Sequence, residues 1–240
     1  MVSEAAGWDA SAQAWIKCVQ NDLNRKYVLD QPMLSECGEV GGLEVLDAGC
    51  GEGRFCRLLA ERGAKATGID ITAALIEEAR RQHSEGRYEV GDVERLPYAD
   101  SMFDIVVSYV VLLDVRDFRA AIFEMARVVK PGGKVVVANL QSFATTRNQP
   151  WVKDEAGNKL FFAMDNYNEE VGAAVEWAGV SIYNYHRPLH AYLNAFVESG
   201  LLLTKFLEPV PEPEAVRAEP NLADYLRVPF MNLSTWRKPA

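Results

Sequence analysis

The sequence predicts an α/β fold built on a doubly wound, mostly parallel sheet of seven strands. Three observations predict it. From Val45 onward, short runs of Val, Ile and Leu alternate with helical patterns, and such continuous apolar runs are typical of strands that are covered on both faces. A glycine-rich turn follows the first run. Acidic residues accompany the ends of the first three runs, at the sheet edge where ligands bind in such folds.

The first half of the predicted core contains three strands and two helices. The first helix repeats its apolar side at Phe55, Leu58 and Leu59 and stops at Gly63. Thr72 stands where it can cap the second helix. In chain order the predicted elements are a strand at 45–48, a helix at 52–62, a strand at 65–69, a helix at 72–82 and a strand at 87–90.

The second half of the core repeats the alternation. Asp117 can cap a helix whose apolar side begins at Phe118, and Pro131-Gly132-Gly133 is expected to end that segment. Gly200 takes the position that follows the last helix. The predicted elements are strands at 103–108 and 134–140, a helix at 188–199 and two closing strands at 201–207 and 229–236, with the Pro-rich "EPVPEPEAVRAEP" as a surface loop between those strands.

Two regions lie outside this alternation. Residues 1–40 read as a helical N-terminal cap, and residues 141–187 carry eight aromatic side chains, which indicates an insertion after the fifth strand that covers the substrate. We therefore expect one domain over 1–240, with its cofactor-binding core at 44–140 and its last helix and strands at 188–240.

Composition limits the partners. The net charge of −9 disfavours nucleic acid and anionic lipid, because phosphate binding depends on clustered Lys and Arg. No stretch approaches the roughly 18 to 20 apolar residues of a membrane helix, and the first residues lack signal-peptide character, so the expected location is cytoplasmic. The four cysteines have no C-x-x-C spacing, and no metal site is expected.

The glycine-rich turn decides which nucleotide the edge can hold. Arg54 stands where a dinucleotide fingerprint needs its third glycine. Asp47 and Glu52 flank the turn, and this acidity suits a ligand with positive charge better than a pyrophosphate. Asp70 lies 19 residues after Gly51, near the spacing at which an acid reaches ribose hydroxyls. An adenosine end and a cationic end together describe S-adenosylmethionine, with Asp92, after the third strand, placed to accept from the adenine amino group.

Four motifs occur in order between residues 44 and 140, and they resemble those of class I S-adenosylmethionine-dependent methyltransferases of the type found in ubiquinone and menaquinone biosynthesis. They are "VLDAGCGEGRF", "TGIDIT", "GDVERLPYADSMFDIVVS" and "VVKPGGKVVV". The resemblance implies a Rossmann-like fold, S-adenosylmethionine as cofactor and S-adenosylhomocysteine as product.

The resemblance also implies roles for single residues. Asp47, Gly49 and Gly51 would hold the methionine part, and Ser108 would lie beside it. Asp70 would bind the ribose, and Asp92 with Val93 the adenine. Cys50 and Ile71 are included as candidate cofactor-binding residues because they neighbour these residues in the same loops; the position of Cys50 varies in the family, so the resemblance implies no role for it. Arg25 and Tyr27 either belong to a helix that closes over the cofactor or lie on a solvated helix face.

Two residues are candidates for contact with the methyl acceptor. Asp114 follows the fourth strand and is expected to face the crevice. His186 ends the aromatic insertion, where it would act as a base near neutral pH or make structural hydrogen bonds. The other histidines, His83 and His190, are expected to lie away from the site.

The sequence thus predicts methyl transfer to O, N or C of a small, aromatic or apolar metabolite. Most of the catalysis would come from holding the reactants in line in a dry pocket. The predicted partner is this small-molecule acceptor, with no nucleic acid, no membrane insertion and a monomeric or homodimeric state. Two alternatives stay open: a protein that binds S-adenosylmethionine without methyl transfer, and a nicotinamide oxidoreductase, against which Arg54 counts.

Overall fold

The computed structural model describes residues 4–146 and 151–240. Residues 1–3 of the predicted cap and 147–150 of the predicted insertion lie outside the described residues. In chain order the strands are β1 Glu44–Ala48, β2 Lys65–Asp70, β3 Arg87–Val90, β4 Phe103–Tyr109, β5 Val129–Leu140, β6 Trp151–Lys153, β7 Lys159–Phe162, β8 Val171–Trp177, β9 Val180–His186, β10 Leu202–Leu207 and β11 Met231–Arg237.

Seven of these strands form the central sheet, in the order β10-β11-β5-β4-β1-β2-β3. The first five strands of the chain pair in parallel, while β11 runs antiparallel to both β5 and β10. Asp47 of β1 lies between Gly68 of β2 and Val107 of β4. The predicted doubly wound, mostly parallel sheet is confirmed, and its strand order changes direction beside β1, where such sheets bind ligands.

Helices cover both faces of the sheet. Phe118, Phe196 and Trp236 are fully buried on one face, where the rings of Phe196 and Trp236 stack at 4.6 Å. Burying each such side chain contributes about 1.5 to 3 kcal/mol. The α-helices are α1 Glu4–Val19, α2 Asp30–Cys37, α3 Arg54–Ala60, α4 Ala73–Gln82, α5 Phe118–Val128, α6 Leu189–Glu198 and α7 Pro213–Ala218, with a π-helical turn at Arg25–Leu29 and 3₁₀ turns at Ser142–Thr145 and Pro220–Leu226.

The cap and the insertion touch each other. The insertion contains two hairpins, β6–β7 and β8–β9. Ser11 of α1 donates its hydroxyl to the carbonyl of Ser181 at 3.0 Å and accepts the N–H of Ser181 at 2.9 Å. This reciprocal pair holds α1 against the β8–β9 hairpin.

The structure corrects several predicted boundaries. Pro131-Gly132-Gly133 lies inside β5, next to an irregularity in its pairing with β4. The Pro-rich segment before β11 contains α7 and a 3₁₀ turn, because its prolines stand at the first turns of both. Thr72 occupies the N-cap position of α4, but its side chain makes no cap bond. No helix in the described parts of the chain is long and apolar enough to cross a membrane.

A positive-φ glycine begins α3. Gly53 has φ +78°, and a Cβ at this position would lie 2.7 Å from a ring carbon of Tyr88 and 2.9 Å from Cβ of Ala79. The missing side chain thus lets the turn after β1 lie directly against β3 and α4. Gly42 has the same φ, but no described atom lies within 4 Å of the equivalent point.

We predict that Gly53→Ala destabilises the fold more than Gly42→Ala does. Both variants pay about 1 to 2 kcal/mol for an L-residue at positive φ, and only Gly53→Ala adds an overpacking cost of about 1 to 3 kcal/mol. Urea unfolding of both variants measures the difference. Equal losses would contradict the close approach.

Candidate functional site

A cavity of about 380 Å³ opens at the carboxyl edge of the parallel strands. The loops after β1, β2, β3 and β4 line it, and α1 and the β8–β9 hairpin cover it. Most of the residues that the sequence predicted for the site line this cavity: Arg25, Asp47, Gly49, Cys50, Gly51, Asp70, Ile71, Asp92, Val93 and Asp114.

Asp70 joins two loops of this edge. One carboxylate oxygen accepts the N–H of Gly51 at 2.9 Å, and the other accepts the N–H of Thr72 at 2.9 Å. Burial raises the pKa of Asp70, and these two N–H groups act in the opposite direction. Each carboxylate oxygen can accept more than one hydrogen bond, so Asp70 can also bind a ligand hydroxyl.

Asp47 is a buried acid in the wall of the cavity. The residue is 1% exposed, and its Oδ2 accepts a weak hydrogen bond from Sγ of Cys56 at 3.4 Å. No hydrogen-bond partner for Oδ1 lies among the described residues. Burial raises the pKa of Asp47 to about 7, while the nearby Arg25 lowers it. A buried polar atom without a partner is costly, and a cationic ligand would remove that cost.

The loops after β1 and β4 meet at one point. Gly49 has φ +86°, and a Cβ there would lie 2.5 Å from both methyl groups of Val111. Only glycine lets these two loops approach so closely. The cavity therefore has two adjoining ends, one built by the loops after β1 to β3 and the other by the loop after β4 with the β8–β9 hairpin.

Arg25 begins the π-helical turn of the cap and lines the cavity. Its guanidinium lies 4.8 Å from the ring centre of Tyr109 and 5.2 Å from that of Trp15, and its Nε lies 3.3 Å from Asp22. Among the described residues that line the cavity, Arg25 is the only Lys, Arg or His. Its charge lies near Asp47, which gives this end of the cavity both signs of charge.

Sequence reasoning missed an ion pair between Asp30 of α2 and Arg54 of α3, which attaches the cap to the core. Asp30 accepts two hydrogen bonds from the guanidinium of Arg54, one of them at 2.8 Å, and a third from the hydroxyl of Tyr109 at 2.7 Å. The residue that breaks the dinucleotide fingerprint thus ties α3 to α2. The sequence showed that Arg54 replaces the third glycine of the fingerprint, but it did not show that Asp30 is the partner of Arg54.

The third predicted acid organises its own loop. Asp92 follows β3 and accepts the N–H of Glu94 at 2.8 Å through one oxygen. Val93 beside it is 7% exposed and lines the cavity. A carboxylate next to an apolar surface at this place can bind one edge and one face of a heteroaromatic ring.

The loop after β4 and the β8–β9 hairpin supply a polar pair to the cavity. Three indole rings also line it: Trp8 and Trp15 of α1, which pack edge to face at 5.5 Å with Trp15 beside the turn at Gly51, and Trp177 of the hairpin. Asn184 of β9 donates its amide Nδ2–H to Oδ1 of Asp114. Sequence reasoning missed Asn184, although its two-residue spacing from the apolar Ile182 in a strand pattern places both on one face.

Three predicted residues do not line the cavity. His186 is buried, with Nδ1 2.7 Å from the Thr145 hydroxyl and Nε2 2.9 Å from the carbonyl oxygen of Tyr167. Both ring nitrogens are thus engaged within the insertion, and the geometry favours the structural role over that of a base. Ser108 is fully buried because β4 continues to Tyr109. Tyr27 packs against the apolar core under Lys26.

Charge and shape together define what the cavity can hold. Its acids are Asp22, Asp47, Glu52, Asp70, Asp92, Glu94 and Asp114. This excess of carboxylates suits a ligand with positive charge, and the orphaned Oδ1 of Asp47 suits an ammonium group. No group of His, Cys, Asp and Glu in the described residues is arranged to hold a metal ion.

Known proteins are similar in sequence to the part of this chain that contains the carboxyl edge of the sheet. The family described as "Methyltransferase domain" matches residues 46–137. The malonyl-[acyl-carrier protein] O-methyltransferase of Pectobacterium atrosepticum is 39% identical over 111 residues, which are 46% of this chain and 44% of the relative. The enzyme of the same name from Pseudescherichia vulneris is 33% identical over 150 residues, which are 61% of this chain and 59% of the relative. The matched stretches thus span about half the length of these curated relatives.

Solved structures share the whole fold. An S-adenosylmethionine-dependent methyltransferase from Mesorhizobium loti superposes with a TM-score of 0.81 at 26% identity, over 92% of this chain and all of the other. The family match covers the loops that carry Asp47, Asp70 and Asp92, and the structural match extends over 92% of the chain. Residues 46–137 therefore carry a methyltransferase domain with the fold of S-adenosylmethionine-dependent methyltransferases, and S-adenosylmethionine is its cofactor.

Proposed function

We propose that this chain transfers the methyl group of S-adenosylmethionine to O, N or C of a small aromatic or apolar acceptor. The observation that carries the proposal is the set of three carboxylates that line one cavity, Asp47, Asp70 and Asp92, together with the buried Oδ1 of Asp47 that has no hydrogen-bond partner among the described residues. An amino acid joined to a nucleoside supplies the donors that these three carboxylates require.

Each part of the cofactor then has a partner. Asp47 accepts from the ammonium of the methionine part, and Arg25 pairs with its carboxylate. Asp70 accepts from the ribose hydroxyls while it holds the N–H groups of Gly51 and Thr72. Asp92 accepts from the adenine amino group, and Val93 covers the ring.

The protein contributes to the reaction mainly by holding the two reactants in position and by excluding water from them. The bound cofactor supplies a methyl carbon activated by its positively charged sulfur, which keeps the electron pair of the broken bond. Trp177 of the β8–β9 hairpin gives a flat apolar acceptor a ring to pack on, and Trp8 and Trp15 cover the cavity from α1. Asp114 contacts the acceptor. Holding the two reactants in one dry pocket accounts for most of the acceleration in such displacements.

The malonyl group in the names of the curated relatives is the competing acceptor. Those relatives act, by name, on a malonyl group attached to an acyl-carrier protein. The indole rings and apolar side chains that line this cavity favour a small aromatic or apolar molecule instead. A protein that binds the cofactor without methyl transfer is the remaining alternative.

We predict that Asp47→Asn weakens S-adenosylhomocysteine binding and changes its pH dependence. In the wild type, Asp47 has a pKa of about 7, so below that pH it must lose a proton before it can pair with the ammonium. The affinity should therefore rise by up to about tenfold per pH unit between about pH 5 and pH 7 and then level off. The variant should lack this rise. Calorimetry across this range measures it, and an equal rise in both proteins would contradict the assignment.

We predict that Asp70→Ala weakens S-adenosylhomocysteine binding by roughly 1 to 3 kcal/mol, because the ribose loses a charged acceptor and the loop loses its tie. Asp154→Ala is a matched control, since Asp154 also accepts a loop N–H, from Asn158 at 2.8 Å, but lies exposed in the β6–β7 hairpin. Calorimetric titration compares the two. Unchanged affinity in Asp70→Ala would refute its role.

Transfer itself is tested with methyl-labelled S-adenosylmethionine. The purified protein is incubated with a panel of small phenols, amines and apolar acceptors and, separately, with malonyl-loaded acyl-carrier protein. Label in a small acceptor supports the proposal. Label only in the malonyl group would show that the acceptor is the malonyl-loaded carrier protein and not a small aromatic or apolar molecule. Tight cofactor binding without label in any acceptor would favour the protein that binds the cofactor without methyl transfer.

A further inference from the structure

We infer that Asp114 and Asn184 form a polar pair that binds the reacting group of the acceptor, and that this group is a neutral hydroxyl or amine rather than a carboxylate. The inference rests on the proposed function and names the acceptor chemistry of the same cavity. Asp114 touches the acceptor, and Asn184 is the residue that positions it.

A backbone hydrogen bond brings the two side chains together. The N–H of Tyr185 in β9 donates to the carbonyl of Leu113 in the loop after β4, at 2.7 Å. The residues beside this bond, Asn184 and Asp114, then lie next to each other, and the amide of Asn184 donates to Oδ1 of Asp114. Both side chains line the cavity.

Arg187 holds the loop that carries Asp114. The residue is 3% exposed, and its guanidinium donates to the carbonyls of Leu112 at 2.9 Å, Val115 at 2.7 Å and Arg116 at 2.8 Å. The rings of Phe118 and Tyr185 lie 4.4 and 4.5 Å from its central carbon. Loop carbonyls need donors when buried, and one guanidinium serves three of them.

The pair lies beside the methionine end of the cavity. Val111 contacts the turn at Gly49, and the N–H of Asp114 donates to the carbonyl of Val111 at 2.8 Å. A single tight turn therefore links the point of contact with the cofactor loop to the Asp114 carboxylate. An acceptor atom bound at Asp114 lies at the junction of the two ends.

The chemistry of a carboxylate selects the acceptor. The Asp114 carboxylate accepts a hydrogen bond from an O–H or N–H and repels another carboxylate. Each of its oxygens can accept more than one hydrogen bond, so Asp114 can bind Asn184 and the acceptor at the same time. The proton of the hydroxyl or amine passes to the Asp114 carboxylate and then to water, while the lone pair of the acceptor atom forms the new bond to carbon. A malonyl group presents a carboxylate and is disfavoured here.

Three probes that share one ring isolate the reacting group. Phenol, aniline and benzoate are titrated calorimetrically into the protein saturated with S-adenosylhomocysteine. We expect phenol and aniline to bind at millimolar concentration and benzoate to bind at least about tenfold more weakly, because only benzoate brings a like charge to Asp114.

Variants separate the charge from the positioning. Asp114→Asn should abolish the discrimination between phenol and benzoate. Asn184→Leu should weaken phenol binding by about tenfold or more while benzoate stays excluded and the affinity for S-adenosylhomocysteine is unchanged. Asn184→Gln, which keeps an amide donor, should restore part of the phenol affinity. Tyr183→Phe, on the exposed face of the same strand, is the control and should match the wild type.

The outcomes distinguish this inference from the proposed function. No binding of S-adenosylhomocysteine to the wild type would contradict the proposed function and this inference with it. Normal binding of S-adenosylhomocysteine would leave the proposed function standing, and the inference alone would be overturned if benzoate bound as tightly as phenol, if no probe bound, or if Asp114→Asn left the discrimination intact.

Discussion

The carboxylate of Asp70 is the interaction on which the rest of the site depends. It accepts one N–H from the turn after β1 and one from the turn after β2, and so ties these two turns together. The sheet itself places the other two acids, because Asp47 lies in β1 between β2 and β4 and Asp92 follows β3 at the same edge. The half-buried carboxylate of Asp70 thus joins the turns that the sheet brings to one edge.

Two charge environments follow from this arrangement. Near Asp47, the cap brings Arg25 and its aromatic neighbours close enough to offset one carboxylate, which suits a zwitterion. Asp114 accepts the amide of Asn184, and the same loop and hairpin add the apolar side chains of Leu113, Val115 and Ile182 to the lining. Under the proposed function, the first environment would bind the amino-acid part of the cofactor and the second the acceptor.

The position of the acids proposed to bind the cofactor could be predicted because these residues obey local rules. Acids at the ends of successive strands meet at one edge, so Asp47, Asp70 and Asp92 come together whatever the rest of the chain does. The acceptor half depends on distant contacts. Asn184 reaches Asp114 only because a hairpin 70 residues later folds back over the loop. Ser108 was expected at the methionine end, but the strand continues one residue beyond it and keeps it inside the sheet.

Calorimetric titration of the purified wild-type protein with S-adenosylhomocysteine, beside NADH, tests the central claim that the edge organised by Asp70 binds the amino-acid nucleoside. The account predicts micromolar binding of S-adenosylhomocysteine and none of NADH, because the carboxylates that accept from an ammonium and a ribose repel a pyrophosphate. Tighter binding of NADH, or no binding of either ligand, would contradict it.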